Sequence, residues 1–199
     1  MAFTFFFRDS HTLQLIAEHV IPHLRGSQRV HIWDAGCAHG PEPYSLAILL
    51  RENMGEFLFR NVRIHATDLN EEFGKVIAAG TYPEEQVKRI PEGLLERYFG
   101  PADPGWYTLV DPIRRAVQFS HHDLTTLEPV RTGLGLVVCK NVLLHLSEAE
   151  RVAVISMFHG ALAPGGFLVM EQTQKLPSEM AHLYTRVTND GQVFRHEES

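Results

Sequence analysis

Short apolar runs alternate along this chain with stretches whose apolar residues recur at helical spacing, the pattern of β-strands separated by amphipathic helices. Residues 11–24 place Leu13, Ile16, Ala17, Val20, Ile21 and Leu24 on one helical face, with Gly26 available as the stop. Residues 30–33 predict a first strand and residues 43–52 its crossover helix. A second strand is predicted over 62–67, ending at Asp68, followed by a helix over 71–79 closed near Gly80. Further on, residues 134–139 read as a buried strand, 148–162 as a helix stopped by Pro164-Gly165-Gly166, and 167–170 as another buried strand. Residues 183–187 and 192–195, joined through Asn189-Asp190-Gly191, predict an antiparallel hairpin. Strands alternating with helices of this length imply βαβ units and an α/β fold, a mostly parallel sheet with an antiparallel end. Residues 82–118 interrupt the alternation with Pro83, Pro91, Pro101, Pro104 and Pro112. A short helix over 93–98 and a small antiparallel strand over 106–110 make this stretch an inserted β-subdomain within one domain of residues 1–199.

Ligands of such sheets bind beyond the carboxyl ends of the strands, and Asp34, Asp68 and Asn141 each fall at or just past such an end. From Asp34 to Gly40 a strand passes through a tight turn into a helix, and Gly36 and Gly40 let the backbone bend and a ligand approach it. An acid at the head of the turn, with no lysine and no G-x-G-x-x-G, argues against phosphate as the bound group. Asp68 is placed to accept both hydroxyls of a ribose; its alternative role is to cap the helix that follows.

Composition narrows the class. At 199 residues, 44% apolar and 21% charged, the chain has the make-up of one ordinary globular domain with its own core. A formal charge of −6 argues against a general nucleic-acid binder. Cys37 and Cys139 are too few for a disulfide scaffold and point to a reducing cytoplasm. The apolar run at residues 3–7 stops at Arg8-Asp9, too short for a signal segment, and no stretch approaches the ~20 apolar residues of a membrane span. No metal is expected: His19 and His23 have Pro22 between them and no third ligand nearby, and His121 and His122 would diverge on a strand.

The glycine turn resembles the cofactor loop of S-adenosylmethionine (SAM) methyltransferases, and the residues after it sharpen the resemblance. Gly40-Pro41-Glu42-Pro43-Tyr44-Ser45-Leu46-Ala47 resembles the G-x-E-P-Y-S-x-A stretch of CheR-type chemotaxis protein-glutamate methyltransferases. Thr4-Phe5-Phe6-Phe7-Arg8-Asp9 is similar to that family's T-x-F-F-R-[DE], Ala66-Thr67-Asp68 to its A-T-D, and Arg97-Tyr98-Phe99 to its R-Y-F. Cys139-Lys140-Asn141-Val142-Leu143-Leu144 is similar to its C-R-N-V-[ML]-I, and Leu162-Ala163-Pro164-Gly165-Gly166 to its L-x-P-G-G. The segments occur in the family's order and cover nearly the whole chain.

The resemblance implies a Rossmann-like class I methyltransferase sheet and SAM as cofactor, with S-adenosylhomocysteine as its product. It implies cofactor contacts at Thr4, Arg8, Glu42, Asp68, Asp123, Leu124, Asn141 and Val142, besides the turn glycines Gly36 and Gly40. Glu42 suits the ammonium of the methionine part, or answers the dipole of its own helix. Asp123 suits an adenine amino group, or caps a turn. Arg8 would hold the cofactor carboxylate or steer a substrate carboxylate, and Asn141 can donate and accept. Arg8 and His145 are the candidate catalytic residues; the family carries tyrosine where His145 stands, and asparagine where Ala2 stands. The implied reaction esterifies a protein glutamate, with the cytoplasmic helices of chemoreceptors as the implied partner. Two other readings stay open: a methyltransferase acting on a small molecule or another protein group, and a SAM-sensing module without catalysis. The chain starts at the motif that in the family follows a basic helical domain, so the catalytic domain is expected here without it.

Overall fold

Residues 4–197 are described by the computed structural model. After the segment 4–9 come α1 (Ser10–Leu15), a π-helical turn (Ile16–Val20) and α2 (Ile21–Leu24), one winding helix that widens where Pro22 lacks the N–H needed to continue the α-ladder. Then follow β1 (Val30–Ala35), α3 (Pro41–Phe59), β2 (Val62–Asp68) and α4 (Phe73–Ala79). Gly80, left-handed at φ 58, closes α4. The chain continues through β3 (Thr81–Pro83), α5 (Glu84–Val87), α6 (Glu92–Tyr98), β4 (Phe99–Pro101), β5 (Trp106–Leu109) and α7 (Asp111–Ala116). It ends with β6 (Val117–His121), β7 (Leu134–Cys139), α8 (Glu148–Ala161), β8 (Leu162–Met170), β9 (Tyr184–Arg186) and β10 (Val193–His196).

Seven strands form one sheet in the order β6-β2-β1-β7-β8-β10-β9. The first five are parallel neighbours, and β10 runs antiparallel to both β8 and β9. A second sheet, β3-β5-β4, is antiparallel throughout. Alternation along β1 and β7 feeds two cores: Ile32 and Leu136 pack with Ile16, Leu46 and Ile48 on one face. Trp33 and Val137 pack with Ile155 and Phe158 of α8 on the other.

The strand at Val117–His121 escaped the reading of residues 82–118 as one insertion. Its sequence Val-Gln-Phe-Ser-His carries little apolar signal because it is a sheet edge with one neighbour, paired in register from Ile64↔Val117 to Asp68↔His121. Pro164-Gly165-Gly166 does not merely end a helix: it lies inside β8, where the register against β7 shifts between Leu134 and Leu136.

Candidate cofactor and active site

Three strand ends and one strap build the site. Beyond β1 the chain turns at Gly36, whose N–H and that of Cys37 both donate to Thr67 O, at 2.8 and 2.9 Å. Gly36 is left-handed (φ 96), and a Cβ there would overlap the side chain of Val142. The turn therefore requires glycine twice over, for conformation and for space. Ala38 N–H donates to Asp68 Oδ2 at 3.0 Å and Asn70 N–H to Oδ1 at 3.0 Å, which holds the Asp68 carboxylate at the end of β2. Asn141, just past β7, sits at φ 59 with its N–H on Glu171 Oε2 at 2.8 Å. A left-handed asparagine beside a cavity is a small store of backbone strain at a site where function is expected.

Residues 4–9 lie across these ends. Phe6 is the anchor, buried and edge-on to Tyr82 and Phe99 at 5.0 and 5.4 Å. Phe7 N–H donates to Ser45 Oγ at 2.8 Å, tying the strap to the first turn of α3. Arg8 donates to Asn141 Oδ1 at 3.4 Å.

Together these elements enclose a cavity of about 640 Å³ at the carboxyl ends of β1, β2 and β7. Its lining includes Thr4, Arg8, Gly36, Glu42 and Asp68, and, from further along the chain, Asp123, Leu124, Asn141, Val142 and His145. Of the residues singled out from the sequence, Gly40 and Asp34 stand away from the lining, Asp34 being fully buried behind it. Gly40 (φ 110) instead opens α3, and a Cβ there would run into the Tyr82 hydroxyl, which donates to His39 O at 2.9 Å. Its glycine serves packing between the helix start and the small sheet. Asp123 does cap a turn: Oδ1 accepts from Thr125 N and Thr125 Oγ at 2.9 and 2.7 Å, and these bonds hold its pKa below the usual carboxylate value. Its position in the lining is compatible with both roles.

Two residues with chemistry were given no cofactor contact or catalytic role from the sequence. Lys140, with a side chain only 2% exposed, reaches Glu42 Oε2 at 2.9 Å and Asp9 Oδ2 at 3.3 Å. Its place in the Cys139-Lys140-Asn141 motif at a buried strand end was the available signal, since a buried lysine requires a partner. Asp34, fully buried, has no donor for either oxygen among the described residues, and Glu42 Oε1 has none either. Burial first, and then the Glu42 carboxylate, push the Asp34 pKa well above its ordinary value; Lys140 works in the opposite direction. A proton on Asp34 relieves the repulsion between the two carboxyls and is available for a hydrogen bond to Glu42.

Because Asp34 holds its proton more tightly folded than unfolded, stability falls as pH rises above the ordinary carboxylate value of 3.8. Asp34→Asn keeps the shape and removes the ionisation. It is expected to stabilise the protein by on the order of 1 kcal/mol at neutral pH, with the gain vanishing below the ordinary Asp pKa. Urea unfolding at a series of pH values measures this; equal pH slopes for the two proteins would refute it.

The lining carries the carboxylates of Glu42, Asp68 and Asp123, with an orphaned oxygen on Glu42. That donor set fits a ligand bearing a sulfonium, an ammonium and a ribose, which is SAM. Among solved structures, PKMT2 from Rickettsia typhi in complex with AdoHcy superposes with a TM-score of 0.50 at 12% identity, over 85% of this chain and 26% of that one, a likeness of fold. The sheet order and the cavity at its strand ends are those of a Rossmann-like SAM-dependent methyltransferase. The family model "CheR methyltransferase, SAM binding domain" matches residues 2–191, and the chain belongs to that family. Chemotaxis protein methyltransferase 1 of Pseudomonas aeruginosa is 31% identical over 96% of this chain and 73% of its own length. Chemotaxis protein methyltransferase 2 of Vibrio cholerae is 28% identical over 87% of this chain and 62% of its own. No helix among the described residues is long and apolar enough to cross a membrane.

Proposed function

We propose that this protein esterifies a glutamate side chain of a protein substrate with the methyl group of SAM, acting in the cytoplasm on the helices of chemoreceptors, with residues 1–199 forming one methyltransferase domain and its β-subdomain insert. Membership of the CheR family together with an arginine, Arg8, at a carboxylate-lined cavity is the observation that supports this reading most. SAM, when bound, supplies a methyl group on a positively charged sulfur. Asp68 would accept the ribose hydroxyls, Glu42 would face the ammonium, and Asp123 with Leu124 would meet the adenine.

A glutamate acceptor is already ionised at neutral pH and needs no general base. What the chain must do is orient the acceptor and exclude water. Arg8, held beside Asn141, attracts the acceptor carboxylate, and His145 on the same wall offers a ring nitrogen for a hydrogen bond.

The test is transfer of labelled methyl to a chemoreceptor cytoplasmic fragment. The expected product is a methyl ester that releases methanol at high pH and is lost when the receptor glutamates become alanine. Label that resists alkali, or that appears only on small molecules, refutes glutamate esterification. Arg8→Ala is expected to lower kcat/KM on this substrate by roughly tenfold to a hundredfold, the worth of one charge-assisted hydrogen bond. Cofactor affinity measured beside it separates substrate steering from cofactor binding.

A further inference from the structure

At the other end of β2 from Asp68 the molecule carries a second concavity, about 260 Å³, between the end of α3, the start of β2 and α7. Arg51, Arg60, Arg63 and Arg115 line it, with only Glu56 and Asp111 as carboxylates, so four positive charges face two negative ones. In a chain of net charge −6 this is a marked local reversal.

The two acids are already shared. Glu56 takes Arg51 and Arg60, each at 3.0 Å, and Asp111 takes Arg115 at 2.9 Å together with Arg114. Arg63 has no carboxylate within ion-pair reach among the described residues; one of its nitrogens donates to Arg60 O and Val62 O at 3.1 and 2.6 Å. Such exposed ion pairs are weak and screened by solvent, so these guanidinium groups can exchange them for a better anion. Phe59, buried, supplies an apolar floor, with the Arg51 guanidinium 5.9 Å from its ring centre. The helix is broken at Gly55 (φ 77), just before Glu56, and this break sets the wall that carries Glu56 and Arg60.

We propose that this cleft binds a dianionic phosphoryl group, with Arg63 as its principal ligand and Arg60 and Arg115 closing over it. The excess of two positive charges matches a phosphate monoester, whereas one carboxylate would neutralise only half of it. Planar guanidinium forks suit the tetrahedral oxygens of such a group. The site is separate from the cofactor cavity: Arg63 and Asp68 belong to the two ends of one strand.

Calorimetry of the full chain with inorganic phosphate at low ionic strength tests it, with a phosphoserine peptide as a second arm. Saturable binding is expected, weakened roughly tenfold or more by Arg63→Ala and unaltered by Lys175→Ala on the exposed surface elsewhere. S-adenosylhomocysteine affinity equal to the wild type's confirms that the Arg63 variant is folded. Tighter binding of the peptide identifies a protein-borne phosphoryl group, and equal or tighter binding of phosphate a free one. No saturation by either probe up to about 10 mM, or equal binding by wild type and the Arg63 variant, overturns the proposal.

Discussion

Lys140→Met is expected to destabilise the protein by about 3–5 kcal/mol, the usual penalty for stripping one partner from a buried ion pair. The ammonium stands between Glu42 and Asp9, and Asp34 lies close enough to act on it. Burial pulls its pKa down, but Glu42 first, and Asp9 and Asp34 after it, more than offset this, and the net shift is upward from 10.5. The stability it contributes is therefore full at neutral pH and is lost as pH climbs through the raised ammonium range. Urea unfolding at pH 7 measures the cost, and adding Glu42→Gln to Lys140→Met should recover part of it by removing the stranded charge. An unfolding midpoint equal to the wild type's would mean that the carboxylates do not depend on Lys140. The same lysine ties down the strap through Asp9, next to Arg8.

Asp68→Ala should weaken S-adenosylhomocysteine binding by roughly a hundredfold or more, since two hydrogen bonds to a charged acceptor are worth about 1.5–3 kcal/mol each. The carboxylate also anchors the glycine turn through Ala38 N–H, so its removal loosens the loop as well as taking away the proposed ribose acceptor. Asp68→Asn, which retains one acceptor, should fall between the two. Calorimetric titration reads this directly. A dissociation constant within about threefold of the wild type would remove Asp68 from the cofactor site.

Much of the cavity lining is legible in the sequence. Gly36, Asp68 and Asn141 could be read because each stands where a predicted strand ends, and strand ends are where such sheets bind ligands. Gly40 was read as part of the same turn but packs against Tyr82, a partner more than forty positions away that local pattern cannot reveal. The edge strand at Val117–His121 was missed because an edge needs few apolar residues. Asp34 was visible as a strand-end acid; its need for a proton was not, because that need comes first from complete burial and then from Glu42 approaching across the turn.

By itself the sequence determined the alternation of strands and helices, the glycine turn and the ordered motifs that mark the family. These depend on periodicity and on residues adjacent in the chain, which local chemistry controls. The tertiary structure alone decided that Lys140 neutralises a buried acidic cluster, that Phe6 pins Arg8 over the cavity, and that four arginines, from α3 and the residue just past it, β2 and α7, share one cleft. Each of these unites residues far apart in the chain, and their charges and burial acquire meaning only when packing removes the water between them.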